Sequence, residues 1–372
     1  MKKLLFYITT LGGGGAERVL LNLLKEIDYS RFDVTVVTLT NSGVYANKLP
    51  EQVTYRSIIQ SKNANVEFLE TYLYYKILPA KLFHRLFLKG DYDYEIAYLM
   101  GFPSKVIQAS SNKRSRKVCF VHTNVGNGEV FKSVYGSVNR ARIEYEKADT
   151  ICFVSEANKQ AFIQLCGEYN DIRVIHNVID VDNILCQAAL KIDADYKDDH
   201  INIVSVGRLS QPKGYLRLIK IVDELNDKYH NYTLTILGEG EEEPIIRNYI
   251  VEHGIKNVRL IPFQANPFPY VKQADLFVCS SYTEGYSTAV SEAALLGVPV
   301  ITTRCDGMDE IFEEGIGVRI IENDDKSLYK AIDEYLSSKE FREILETEAK
   351  RYCTIYRERV RANIQEYNTL FQ

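Results

Sequence analysis

Two glutamates eight positions apart, Glu284 and Glu292, stand in the run S-S-Y-T-E-G-Y-S-T-A-V-S-E-A-A-L-L-G-V-P-V-I at 280–301. A strand is expected to end at Cys279 and a helix to run from near Ser287 to Gly297. Glu284 then lies just before the helix and Glu292 in its second turn. The first N–H groups of a helix have no partner within it, so those around 286–289 can receive phosphate oxygens. One carboxylate can accept hydrogen bonds from sugar hydroxyls and the other from ribose hydroxyls, which suits a nucleotide sugar. Two cations point the same way. The strand Ile201–Val206 ends in Gly207-Arg208-Leu209, followed by Gln211-Pro212-Lys213-Gly214. Arg208 and Lys213 at that strand end would neutralise a diphosphate leaving group as its charge grows. The plainer alternative is a pair of surface cations in salt bridges.

A second glycine-rich turn lies near the N-terminus, where the strand Leu4–Thr9 runs through Gly12-Gly13-Gly14-Gly15 into a helix. Glycines let a backbone approach a ligand closely, and a helix start favours anions. The dinucleotide fingerprint is not met: Glu17 stands where G-x-G-x-x-G needs its last glycine, and no acid closes the strand ending Val36-Val37-Thr38-Leu39. A Walker A loop is absent. His122 follows the strand Lys117–Val121, at a strand end that points into the ligand crevice of a parallel sheet. A structural, hydrogen-bonded histidine is the alternative. No metal site is expected: Asp91-Tyr92-Asp93 is taken as a strand-entry turn, and Asp193-Ala194-Asp195 lies in a polar linker.

The elements that must position these residues alternate along the chain. Its 372 residues, 46% hydrophobic and 26% charged, suit about two globular domains and exclude disordered or rod-like chains. Further strands are expected at Asp33–Leu39, Tyr94–Tyr98, Thr150–Val154, Tyr232–Leu237, Val258–Ile261, Leu276–Cys279 and Val298–Thr302. Apolar residues at 16, 19, 20, 23, 24 and 27 have helical spacing. Continuous apolar strands separated by helices indicate parallel sheets covered on both faces. The pattern restarts near residue 201, after the polar stretch Lys191–His200. Residues 1–180 hold 23 Lys+Arg and 18 Asp+Glu, and residues 181–372 hold 22 and 32. A moderately basic half beside an acidic half is poor evidence for nucleic-acid binding and suits a basic face on an anionic membrane. The seven cysteines lack C-x-x-C spacing, and most are expected to be inert core thiols. No 18-residue apolar run occurs, and the short N-terminal apolar run reads as a first strand rather than a signal peptide, so a cytoplasmic protein is expected.

Taken together these motifs resemble the retaining nucleotide-sugar glycosyltransferases of the GT-B fold, glycosyltransferase family 4. The resemblance runs along nearly the whole chain: G-G-G-A-E-R-V at 13–19, F-V-H at 120–122, I-H-N-V-I-D at 175–180, V-G-R-L…K-G at 206–214, L-G-E-G at 237–240, A-D-L-F-V-C-S-S at 274–281, the glutamate motif, and D-G-M-D-E at 306–310. It implies an α/β GT-B architecture, two doubly wound Rossmann-like parallel-sheet domains facing a central cleft. The acceptor-side domain would be 1–180, with a C-terminal helix of about 355–372 packing back on it, and the nucleotide-sugar domain 181–354. As catalytic residues it implies His122, Glu284, Arg208 and Lys213. The implied donor site comprises Gly14, Gly15, Gly207, Arg208, Lys213, Gly238, Phe263, Gln264, Glu284, Gly285, Tyr286, Ser287, Thr288 and Glu292. The chain departs from the family where E-G-F-P is replaced by Glu284-Gly285-Tyr286-Ser287, and where Gln264 or Ala265 replaces a glycine.

The implied reaction moves a hexose or N-acetylhexosamine, UDP-linked, to a hydroxyl of a glycan or lipid-linked glycan in bacterial-type surface polysaccharide or glycoconjugate synthesis. It would proceed with retention, and without metal or other cofactor. A GT-B-like nucleotide-sugar epimerase and a catalytically inactive sugar-nucleotide-binding protein are the alternatives. Residues 71–90 carry Lys76, Lys81, Arg85 and Lys89 among large apolar side chains and no acid, and residues 113–117 add four more cations. Such segments can rest on the cytoplasmic membrane face, or 71–90 is an ordinary core helix interrupted at Pro79.

Overall fold

The computed structural model describes all residues of the chain except 42, 62, 127, 193–195, 197, 198, 313 and 314. Asp193-Ala194-Asp195 therefore lies outside the described residues. The chain divides into two compact units, Met1–Ile179 with Ala362–Gln372, and Asp180–Arg361.

The first unit is built on seven parallel strands: β1 Lys2–Ile8, β2 Phe32–Thr40, β3 Thr54–Ile59, β4 Tyr94–Ala97, β5 Arg116–Val121, β6 Thr150–Phe153 and β7 Ile172–Val174. Their order is β3-β2-β1-β4-β5-β6-β7. Leu4 through Ile8 are all 0% exposed, because helices cover both faces of the sheet and every second side chain meets one of them. Helix Gly15–Glu26 buries Val19, Leu20, Leu23 and Leu24 on one stripe. The second unit carries β8 Ile201–Val206, β9 Tyr232–Leu237, β10 Val258–Ile261, β11 Leu276–Cys279, β12 Val300–Thr303 and β13 Val318–Ile321, in the order β10-β9-β8-β11-β12-β13, again all parallel.

In each sheet the order reverses beside one strand. β1 lies between β2 and β4, and β8 between β9 and β11. Connections leave such a switch point in opposite directions, which opens a crevice at the carboxyl ends of the strands. The loops after β1, β8 and β11 are the ones that carry Gly12–Gly15, Arg208–Lys213 and Glu284.

Asp91-Tyr92-Asp93 leads into β4 as irregular backbone with a bend at Asp93 rather than a turn, and Asp93 Oδ2 accepts the Lys3 amide at 2.7 Å. Helix Lys339–Ala362 buries Leu345, Ala349, Tyr352, Cys353, Tyr356 and Val360 in the second unit. The return to the first unit therefore comes at Ala362 rather than about 355. Beyond it, helix Ile364–Leu370 places Tyr367 flat on Phe120 at 5.7 Å, and Phe371 against Phe6, Phe32 and Tyr94. Burying aromatic side chains of this size stabilises the unit by about 2 kcal/mol each.

Five cysteines are buried, whereas Cys186 is exposed and Cys305 is partly so. Among the described residues no helix is long and apolar enough to cross a membrane.

Candidate functional site

The second unit gathers its candidates where β8 and β11 end side by side. β8 delivers Gly207 and then a single 3-10 turn, Gln211–Lys213, which closes on Gly214 in the left-handed region at φ +65°. A Cβ at Gly214 would sit 2.3 Å from the Ser280 carbonyl oxygen, so only glycine lets these two loops touch. Ser280 Oγ donates to the carbonyls of Lys213 and Gly214, each at 3.1 Å, and the Tyr282 amide donates to Pro212 at 2.7 Å. The loop after β8 and the loop after β11 are thereby braced together.

That bracing brings Lys213 onto Glu284. Lys213 Nζ lies 2.7 and 2.9 Å from the two Glu284 carboxylate oxygens, and Ser281 Oγ donates to Oε1 at 2.6 Å. The Glu284 side chain is only 10% exposed and that of Lys213 31%. Burial alone would lower the Lys213 pKa, but the Glu284 carboxylate outweighs it and the net shift is upward, so the ammonium stays charged. The pair edges a small cavity shared with Ser205, Tyr215, Ser281 and Ser287.

Ser287 caps helix Thr288–Leu296, its side chain accepting from the Val290 amide at 3.4 Å, and Thr288 opens the first turn. The helix start therefore faces the same cavity as the ion pair. Glu292 is 5% exposed within this helix. Gly285 is buried beside it. The Tyr286 ring points into the core, with its hydroxyl 3.3 Å from that of Tyr356. Position 286 thus offers the site its backbone rather than its ring.

Arg208 is exposed and stands apart from the Lys213–Glu284 pair, with no ion pair among the described residues. Gly238 takes φ +150° after β9, and a Cβ there would lie 1.9 Å from the Gly207 carbonyl oxygen. The lack of a side chain at Gly238 lets the ends of β8 and β9 close together. Phe263 is 41% exposed, its amide donating to Glu239 at 3.3 Å, and the Gln264 side chain turns back to the Pro262 carbonyl at 3.2 Å.

The first unit holds the other candidates. Gly14 caps helix Gly15–Glu26 in extended geometry after β1, with Glu17 in the first turn. His122 follows β5, half-buried, its ring 4.9 Å from Tyr98 and 5.8 Å from Phe120. Its Nε2 is shut off from solvent and has no hydrogen-bond partner among the described residues. Burial lowers its pKa to about 4 against the raising effect of a hydrogen bond to the Tyr98 backbone, so the imidazole is neutral at pH 7.

This shift has a stability consequence. The unfolded histidine titrates near 6.5. Its contribution is complete above that value and is lost as pH falls toward about 4. Urea melts of wild type and His122→Phe at pH 7, 5.5 and 4.5 should show the wild type losing more stability on acidification. Parallel losses would contradict the assignment.

Sequence patterns did not single out Arg217 or Ser281. Arg217 is a cation within the otherwise apolar stripe of helix Tyr215–Leu225, buried at 4% exposure. A charged residue on a core-facing helical position was the available signal. Among the described residues, no group of three or more His, Cys, Asp or Glu side chains could hold a metal ion.

Comparison with known proteins places this geometry. Residues 13–183 match the family described as Glycosyltransferase Family 4, and residues 189–352 match Glycosyl transferases group 1. The chain is 28% identical over 361 residues, 94% of each protein, to the N-acetylgalactosamine-N,N'-diacetylbacillosaminyl-diphospho-undecaprenol 4-alpha-N-acetylgalactosaminyltransferase of Campylobacter jejuni. It is 31% identical to an uncharacterized glycosyltransferase of Methanocaldococcus jannaschii, over 43% of this chain and 41% of that protein. The crystal structure of Anabaena HepE in complex with UDP and glucose superposes with a TM-score of 0.78 at 19% identity, covering 100% of this chain and 99% of that one.

Proposed function

Because the chain belongs to glycosyltransferase family 4, and is a glycosyltransferase of GT-B type, we propose that it moves a hexosyl or N-acetylhexosaminyl unit from a UDP-sugar to a hydroxyl of a glycan or lipid-linked glycan. The observation that carries the reading is the Lys213–Glu284 pair against the Ser287-capped helix start. Lys213 and the helix N–H groups meet the diphosphate, and Glu284 orients the transferred sugar. Arg208 adds the second cation, and Glu292 accepts from the ribose. Gly238, Phe263 and Gln264 border the base, and Gly207 keeps the β8 backbone close.

The bond from the anomeric carbon to the diphosphate breaks as the acceptor oxygen bonds to that carbon with retained configuration. The departing phosphate oxygen takes the acceptor proton. Lys213, Arg208 and the helix start stabilise the leaving charge in place of a metal ion. The UDP and glucose bound to HepE, and the lipid-linked acceptor in the C. jejuni enzyme's name, support donor and acceptor class.

The test is a panel of nucleotide sugars with the full chain, with and without polyprenyl-diphosphate-linked saccharides. A transferred sugar with the donor's anomeric configuration, in the presence of EDTA, is expected. Isomerised sugar nucleotide from donor alone would instead make the protein an epimerase.

The reading includes a contact with the cytoplasmic membrane face. Helix Ala64–Tyr72 runs on as a π-helical segment Leu73–Ile77, breaks at Pro79, and resumes through Ala80–Phe83 and His84–Leu88. Phe83 and Leu88 turn into the core, while Phe68 is 74%, Ile77 64% and Leu86 60% exposed. Lys76, Lys81, Arg85 and Lys89 are exposed beside them, without ion pairs among the described residues. Residues 113–117 contribute less than their charge suggests. Lys117 bonds the Asn112 and Ser115 carbonyls, and Arg116 pairs with Asp171 at 3.5 Å.

The full chain should sediment with phosphatidylglycerol vesicles at low salt and release at high salt. Ile77→Glu with Leu86→Glu should lower that binding about tenfold or more. Absence of wild-type binding would remove the membrane contact.

A further inference from the structure

A guanidinium lies beneath the loop that delivers Glu284. Arg217 Nε and Nη2 both donate to the Ser280 carbonyl, at 2.8 and 2.5 Å, and Nη2 also reaches the Ser281 carbonyl at 2.8 Å and Asn323 Oδ1 at 2.9 Å. The Tyr282 ring covers the guanidinium at 3.9 Å. Nη1 is buried without a hydrogen-bond partner, 3.7 Å from Asp325 Oδ1. A buried charge is weak evidence for stability, since a well-packed apolar residue often serves a core as well. What Arg217 supplies instead is a planar fork that fixes two consecutive carbonyls, which a lysine's single point charge does not reproduce.

We propose that Arg217 is a positioning residue for the transfer reaction, holding the 280–283 loop so that Glu284 meets the donor sugar beside Lys213. Other groups complete the clamp. Thr303 Oγ1 donates to the Ser281 carbonyl at 2.6 Å, and Asn323 Nδ2 to the Tyr282 carbonyl at 2.9 Å. Asn323 thus bonds both Arg217 and the loop that Arg217 holds. The residues between Arg217's contacts and Glu284 are only Tyr282 and Thr283, so a loop that loses its clamp moves the carboxylate directly. The inference rests on the reading that Glu284 orients the donor sugar. Arg217 touches neither donor nor acceptor and acts through the loop alone.

The experiment compares full-length wild type, Arg217→Met and Arg217→Lys for thermal unfolding, UDP affinity, and kcat and KM with whichever nucleotide sugar the wild type turns over. A misplaced carboxylate should lower kcat of Arg217→Met by about 100-fold. UDP affinity should be kept or rise by up to about fivefold and KM should not increase, because the diphosphate is bound by Lys213, Arg208 and the helix start rather than by Glu284. Arg217→Lys should fall between. A folded Arg217→Met with near-normal kcat overturns the proposal. So does a loss of UDP affinity in step with kcat together with no rescue by lysine, which marks a merely structural role. If Arg217→Met does not fold, Arg217→Lys decides: reduced kcat with wild-type or higher UDP affinity supports the proposal, and wild-type kcat overturns it. A wild type that neither binds UDP nor turns over any nucleotide sugar defeats the reading of the site itself, which is a distinguishable failure.

Discussion

Glu284→Gln should lose turnover by about 100-fold or more while binding UDP more tightly than the wild type. The two effects have opposite signs because Glu284 has two partners. In the unliganded site its carboxylate accepts from Lys213 at 2.7 and 2.9 Å and from Ser281 at 2.6 Å. In the proposed reaction it orients the sugar, where charge develops at the anomeric carbon. The amide keeps the size and one acceptor oxygen, so the fold is retained, but the negative charge is gone. Lys213, no longer held by a carboxylate, is then free for the diphosphate. A partly exposed pair is worth roughly 1 kcal/mol, so UDP affinity should rise by about fivefold. Calorimetric titration with UDP and steady-state turnover measure the two numbers. A parallel fall in both would mean that Glu284 serves only to hold Lys213 in place.

Lys213→Ala should have the larger effect on kcat/KM, about 1000-fold, because it removes a cation from the leaving group and also uncovers a carboxylate that repels it. Glu284, with its side chain only 10% exposed, would face the incoming diphosphate without its cation. The double variant Lys213→Ala with Glu284→Gln should therefore bind UDP better than Lys213→Ala alone, since it deletes the repulsion along with the attraction. Stability should fall by less than the roughly 3–5 kcal/mol seen when a fully buried pair is broken, because Lys213 retains some contact with solvent. Additive losses of UDP affinity would show that the two side chains do not act on one phosphate position.

These expectations stand on residues that the sequence already marked. The strands that carry them, Ile201–Val206, Tyr232–Leu237, Val258–Ile261 and Leu276–Cys279, have the same bounds in the structure as in the apolar pattern. Central strands of a parallel sheet are covered on both faces, so their sequence is continuously apolar and punctuated by glycine. The strands that the apolar pattern does not mark, Thr54–Ile59, Ile172–Val174 and Val318–Ile321, all lie at sheet edges. Each carries an arginine and leaves part of its surface to solvent; the edge strand Val258–Ile261 does the same with Arg259 and is still marked by the apolar pattern, so an edge position and one arginine do not by themselves hide a strand.

The site was legible to a similar depth. Types and spacing singled out Lys213 and Glu284, but nothing in the spacing showed them in contact. Their ion pair follows from Gly214 in the left-handed region, which lets the Ser280 carbonyl approach. Tyr286 was drawn into the donor site by its neighbours in the motif. The structure turns its ring toward Tyr356 because helix Lys339–Ala362 packs there. Arg217 matches no motif, for the opposite reason. It lies in a helical stripe where the pattern supplies apolar residues, and its partners are backbone carbonyls, which no sequence motif encodes.

The central claim is that the crevice at the ends of β8 and β11 takes a nucleoside diphosphate on Lys213 and the start of helix Thr288–Leu296. Calorimetric titration of UDP, GDP and ADP into the full-length wild type and Lys213→Ala tests it most directly. One-to-one, saturable binding of UDP to the wild type, weakened about 100-fold or more in a folded Lys213→Ala, is the predicted result. Binding of equal strength in both proteins, or no saturable binding of any of the three to the wild type, would contradict it.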